Sequence, residues 1–87
     1  MRNEKANIRI GNAIRLARLR KRIPQKILAN EIKAKQQELW AWEHGIKQIG
    51  GIKLLLIIEV LGEGFWQEWK IEKMKPAPVA EAAVVED

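Results

Sequence analysis

Lys33-Ala-Lys-Gln-Gln-Glu-Leu-Trp-Ala-Trp-Glu-His-Gly45 is the stretch whose reading decides the fold. It reads as a short turn, a helix over about residues 35–44, and a glycine stop at Gly45. Leu39 and Trp42 are three apart, so they share a face and can anchor the helix to a core. Gln36, Gln37, Trp40 and Ala41 fall on the other faces. Two adjacent glutamines in a first turn, beside Lys33 and Lys35, suit the base edges and backbone of a nucleic acid. A glutamine amide bonds adenine N6 and N7 bidentately, or donates to guanine, when the start of a helix enters the major groove. The same residues also suit an ordinary solvated face, since Gln and Lys are common surface helix formers. The flanking sequence has to decide between the two.

Upstream, residues 25–32 read as a short helix with Ile27, Leu28 and Ile32 apolar and Ala29 small enough for a close helix crossing. Pro24 ends the preceding helix or opens this one, because its fixed φ suits a first helical position. Lys33 and Ala34 leave room only for a tight turn, and two short helices joined this closely form a helix-turn-helix arrangement. Earlier still, Ile10, Ile14 and Ala17, with Ala13 beside them, mark one stripe of an amphipathic helix over residues 8–21. Arg15, Leu16, Leu19 and Arg22 lie off that stripe. Residues 1–7 are polar and read as an arm or frayed turn, with Asn3 or Asn7 as a helix cap.

Downstream, residues 45–51 read as a loop in which Lys47 either meets a phosphate or is simply exposed. His44, the single histidine, reads as a surface residue. Residues 52–61 form a fourth helix with only Lys53 and Glu59 polar, so its apolar residues run nearly all round. Gly62 and Gly64 punctuate, and residues 65–74 form a fifth helix with Phe65, Trp66 and Trp69 at helical spacings. The surplus apolar surface predicts a homodimer through Leu55, Ile58, Phe65, Trp66 and Trp69. The competing arrangement is a monomer that folds this surface inward. Residues 76–87 change to proline, small residues and acids and read as a flexible tail, with pairing as a strand on a partner chain as the lesser option.

Composition narrows the function. The 87 residues fit one small domain over residues 1–75. All 16 cations lie there with 8 of the 11 acids, a net of +8, against −3 for the tail. Arg15, Arg18, Arg20, Lys21 and Arg22 crowd together, the footprint of a polyanion binder. The chain has no Ser, Thr, Tyr or Cys. Nucleophiles would have to come from Lys, Asp, Glu or His44, and no carboxylate pair suggests a dedicated acid and base, so an enzyme is not expected. Neither a metal nor a cofactor is expected. Residues 1–12 lack the apolar segment of a secretory leader, and residues 52–61 are too short to span a bilayer, so a cytoplasmic, nucleoid-associated protein is expected.

The run from Gln25 to Gly45 resembles the Cro/C1-type (XRE) helix-turn-helix family. Gln25, Leu28, Ala29, Trp42, Glu43 and Gly45 fill the places of that family's pattern at its spacing. The Gln36-Gln37 pair is similar to that of the small lambdoid phage repressors, and the match runs from Ile10-Gly11 to Leu61-Gly62. The resemblance implies an all-α, five-helix, lambda-repressor-like domain. It implies that Gln36 and Gln37 read bases, with Ala41 one turn on, and that Gln25 binds phosphate and braces the reading helix. It assigns Lys35, Lys47 and Arg22 to the DNA backbone and Arg18 with Glu43 to an internal ion pair. The family commonly has Gly where this chain has Lys33, and Ser or Thr where it has Lys35. A positive φ at Lys33 would carry strain of about 1 kcal/mol. Trp40 is large for a reading position; it stacks on the DNA backbone or a thymine methyl, or it packs on a neighbouring helix, and packing is the expectation.

The implied function is a dimeric, sequence-specific regulator of transcription, most simply a repressor of phage or prophage type on a palindromic or direct-repeat operator of double-stranded DNA. Small antitoxins and restriction-modification controllers resemble the same architecture. The alternative is therefore a protein-interaction module, such as an antitoxin whose main partner is a toxin. A nonspecific nucleoid binder is a third reading, marked by a steep salt slope without sequence preference.

Overall fold

The computed structural model describes residues 4–76, and in them the chain forms five helices. These are α1 (Glu4–Arg20), α2 (Gln25–Glu31), α3 (Gln36–Glu43), α4 (Gly51–Leu61) and α5 (Glu63–Met74). The all-α class and the five-helix order agree with the expectation. The starts of two helices differ from it. α1 is already helical at Glu4, the first described residue, so Asn7 is a buried residue inside the helix, not its cap. α5 begins at Glu63, so Gly64 lies within its first turn. The Asn3 cap and the tail from residue 77 onward lie outside the described residues.

The predicted stripe of α1 is the floor of the core. Ala13, Ile14 and Ala17 are buried against Leu28, Ala29 and Ile32 of α2, Leu39 and Trp42 of α3, Ile57 and Leu61 of α4, and Phe65 of α5. α1 runs antiparallel to α5. Asn12 Nδ2 donates to Glu72 Oε1 at 3.4 Å, Arg9 Nη2 donates to the Lys75 carbonyl at 3.1 Å, and Arg20 pairs with Glu68. α1 also presses on the end of α3. A Cβ at Gly11 would overlap the carbonyl oxygens of Trp42 and Glu43, standing 2.6 Å from the latter, so only glycine permits this approach.

The core uses the apolar circumference of α4 only in part: Ile57 and Leu61 are its buried residues. Leu54, Leu56, Ile58 and Val60 are partly buried around the core, and the helix leaves outward chiefly Ile52, 77% exposed, and Leu55, 67% exposed. This corrects the expected dimer set. Phe65 is only 3% exposed and belongs to the core, and Ile58 and Trp69 pack against that core. Of the five residues, Leu55 and Trp66 are the exposed ones.

The first three helices end in one device repeated. At the end of α1, Ile23 N–H donates to Arg18 C=O and Arg22 N–H to Leu19 C=O; at the end of α2, Ala34 donates to Ala29 and Lys33 to Asn30; at the end of α3, Ile46 donates to Ala41 and Gly45 to Trp42. Each pair is the 6→1 and 5→2 bonding of a Schellman stop, with its left-handed residue at Arg22 (φ 59), Lys33 (φ 57) and Gly45 (φ 70). The last turn of α2 is further held from outside. Lys53 Nζ of α4 donates to the Ile32 and Lys33 carbonyls at 2.8 and 3.0 Å. A cation on the final carbonyls of a helix satisfies orphan acceptors and opposes the helix dipole. Helix starts are plainer: Pro24, Lys35, Gly50 and Gly62 precede α2 to α5, and none makes a side-chain cap bond. Hydroxyl caps are closed to this chain, which has no Ser or Thr, and none of its asparagines stands at these positions.

Lys33 and Arg22 occupy a backbone region that costs a residue with a Cβ about 1–2 kcal/mol. Replacing Lys33 by Gly removes that cost and adds part of it back as unfolded-chain entropy. Lys33→Gly is expected to stabilise the fold by about 0.5–1 kcal/mol, a rise of a few degrees in melting temperature. A fall in the thermal melt would show that the Lys33 side chain contributes more than its strain.

Candidate nucleic-acid interface

α3 is held by a chain of side-chain hydrogen bonds that starts in the core and ends at the surface. Arg18 of α1 grips Glu43 with two bonds, Nε to Oε2 at 2.7 Å and Nη2 to Oε1 at 3.1 Å. Its third nitrogen, Nη1, donates to the Ile23 carbonyl at 2.9 Å, which ties the α1–α2 loop into the same cluster. The paired fork geometry makes the contact directional as well as strong. Both side chains are buried.

Gln25, first residue of α2, continues the chain. Its Nε2 donates to Glu43 Oε1 at 2.9 Å, and its Oε1 accepts from Gln36 Nε2 at 3.2 Å. Chemistry fixes both amides. A carboxylate only accepts, so Gln25 must turn its NH₂ inward and its oxygen outward, and Gln36 must then present a hydrogen. The expected ion pair of Arg18 with Glu43 and the expected brace from Gln25 to α3 are both present.

The outward residues at the start of α3 are Lys35, Gln36, Gln37 and Glu38, all exposed. Lys35 precedes the helix without capping it, since an ammonium has no lone pair for the N–H groups. The helix start is instead secured by Glu38, whose Oε1 accepts from the Lys35 amide at 3.1 Å. Trp40 stands one turn on from Gln36 and Gln37 and is 46% exposed. Its ring stacks on His44 of its own helix, with ring centroids 4.1 Å apart. The His44 Nδ1 lies 2.8 Å from the Trp40 carbonyl, so the surface histidine serves as a backing for the indole. Gln25, Gln36, Gln37 and Trp40 together line an open, mainly apolar notch of about 240 Å³.

Ala41 is misplaced in the expected reading set. It is 8% exposed, faces the body of the domain, and its carbonyl receives the Ile46 and Lys47 amides of the helix stop. The helical spacing that put it one turn beyond Gln37 was correct; the exposed member of that turn is Trp40. Arg22 and Lys47 are exposed at the ends of the two flanking loops. Between residues 20 and 47, Arg20, Lys21, Arg22, Lys26, Lys33, Lys35 and Lys47 are exposed, against the exposed carboxylates Glu31 and Glu38. Glu43, the third acid there, is neutralised by Arg18. The cations of the described residues thus lie mainly on α1, which carries five against Glu4, and in the loops flanking α2 and α3, with Arg20 paired to Glu68, whereas α4 and α5 carry nearly balanced charge.

Sequence reasoning missed the Lys53 clamp, the Arg22 stop and the Gly11 contact. A lone polar residue in an apolar helix was the signal for the first, and Lys53 and Glu59 were noticed only as interruptions. Among the described residues no cluster of three or more His, Cys, Asp or Glu could hold a metal ion. No helix among them is long and apolar enough to cross a membrane. No protein-family model matches the chain, and no curated protein or solved structure shows a significant similarity to it.

Removing Glu43 would strand the Arg18 guanidinium and free the Gln25 amide together. Glu43→Ala is expected to destabilise the domain by roughly 3–5 kcal/mol, enough to lose folding before any binding defect can be read. An unchanged thermal melt would remove the pair from its structural role.

Proposed function

We propose that this chain is a sequence-specific DNA-binding regulator of Cro/C1 type, with α2 and α3 as its helix-turn-helix and α3 as the reading helix. The observation that supports this reading most is the relay Arg18–Glu43–Gln25–Gln36, which holds one exposed amide in a defined orientation at the first turn of α3. With one Nε2 hydrogen given to Gln25, Gln36 keeps one N–H and its carbonyl oxygen. That pair matches adenine, which offers an N7 acceptor and an N6 donor in the major groove. Guanine offers two acceptors and would need both N–H groups. Gln36 therefore favours adenine for as long as Gln25 holds it, and Gln37 reads an adjoining base.

The remaining N–H of Gln25, with Arg22, Lys35 and Lys47, supplies contacts to phosphate. Such contacts carry much of the affinity and its salt dependence but no sequence information. A twofold dimer would set two reading helices about 34 Å apart along one side of the duplex. Ile52 and Leu55, three apart on the outer face of α4, support that assembly, with exposed Ile46 in the loop before it. The dimer makes repression by steric occlusion the simplest mode of action. The same apolar face would serve the alternative reading, a module that holds a protein partner.

Two experiments test this. In binding to a duplex selected from a random pool, Gln36→Ala and Gln37→Ala are each expected to cost roughly 1–3 kcal/mol at one base position and relax the choice there. Lys47→Ala should weaken all sequences alike, while Gln25→Ala should also narrow the preference for adenine over guanine. Base preference surviving the double substitution at Gln36 and Gln37 rules out the reading helix. Sedimentation at micromolar concentration is expected to give a dimer that Leu55→Glu converts to monomer; a wild-type monomer rules out the α4 interface.

A further inference from the structure

We infer that the notch beside Trp40 is a receptor for the 5-methyl group of a pyrimidine, which makes Trp40 a specificity-determining residue of this chain. The inference rests on the base-reading proposal above and adds a second kind of contact to it. The notch is lined by the Trp40 indole and three glutamines, and its lining is mainly apolar, so the glutamines contribute their carbon stems as walls. Two of the amide heads, those of Gln25 and Gln36, are tied to one another and, through Gln25, to Glu43.

The indole is not a loose surface ring. It is stacked on His44 at 4.1 Å and 27°, and the imidazole is itself placed by its approach to the Trp40 carbonyl. A half-exposed tryptophan held in this way keeps an apolar face open without collapsing onto the core. Long side chains on a helix lean toward its N-terminus, so Trp40 covers the turn that carries Gln36 and Gln37.

The occupant follows from what the major groove contains. Base edges there present N7, O6 and O4 acceptors and N6 and N4 amino donors, and only one apolar group, the methyl on C5 of thymine. The same group occurs on 5-methylcytosine. An apolar notch bordered by amides has no use for the polar edges, and burying one of them there unpaired would cost affinity. A methyl seated against the indole leaves the neighbouring base to Gln36 or Gln37. The paired contact reads a two-base step, where a lone amide reads one base.

The test uses the wild-type chain on its own selected duplex, with each thymine replaced in turn by uracil, which removes the methyl and nothing else. One thymine position per half-site is expected to weaken binding roughly three- to fivefold on that change, the value of burying a single methyl-sized group. Trp40→Ala should bind the thymine duplex with a similar loss and be indifferent to uracil at the same position. At that position a 5-methylcytosine·guanine pair should bind more tightly than the unmethylated pair, by a similar factor. A chain that selects a sequence but ignores every uracil replacement overturns this inference and leaves base reading by glutamine standing. Uracil sensitivity that persists in Trp40→Ala also overturns it. A chain that selects no sequence overturns the base-reading proposal and this inference with it.

Discussion

The Arg18–Glu43 pair is the constraint on which the rest of the structure depends. Two charges are taken out of water between the end of α1 and the end of α3, and such a pair repays its desolvation only with good geometry and every lone pair used. The geometry is a two-bond fork, and most of the acceptor capacity is used. The guanidinium spends its fork on the carboxylate and a further N–H on the Ile23 carbonyl, while Glu43 accepts from Gln25 as well. The pair therefore fixes three things together: the crossing of α1 and α3, the loop that delivers α2, and the direction of the Gln25 amide. Gln36 at the surface inherits its orientation from a charge contact in the interior.

Gly11 complements the pair from the backbone side. It brings α1 against the final carbonyls of α3, and Gly45 turns the chain away immediately after, against Ile8. The far end of α3 is thus set in backbone contacts that allow little adjustment, while the near end is set by side chains. Lys53 then holds the turn between α2 and α3 from the α4 side. The exposed first turn of α3 has its position determined from both ends and from its own preceding turn.

What could be read from the sequence was whatever a period or a spacing encodes. The stripe Ile10, Ile14 and Ala17, the close joining of Ile32 to Gln36, and the glycine at 45 each specify local geometry, and the five helices follow from them. The Arg18–Glu43 pair came from a pattern resemblance, not from periodicity, because nothing local links residues 25 positions apart. Errors arose where helical phase alone was asked to choose a direction. Ala41 and Trp40 both lie about one turn past the glutamines, and only the packing of α3 on the body decides which faces outward. Phe65 was given to an outer surface because an apolar surplus does not say which side of α5 turns toward the core. Arg22 and Lys33 hide their left-handed conformation because neither is the glycine or asparagine that normally signals one.

The bare helix starts have a wider meaning. The chain begins α2 to α5 without a side-chain cap, and it carries no serine, threonine or tyrosine anywhere in its 87 residues. Kinases that esterify hydroxyl groups consequently have no acceptor on it. Switching by an added phosphoester, a common way to detach a basic domain from a polyanion, is chemically closed to these residues. Charge on this surface is left to be altered at its lysines and arginines, by acetylation or methylation, or countered by what competes for it.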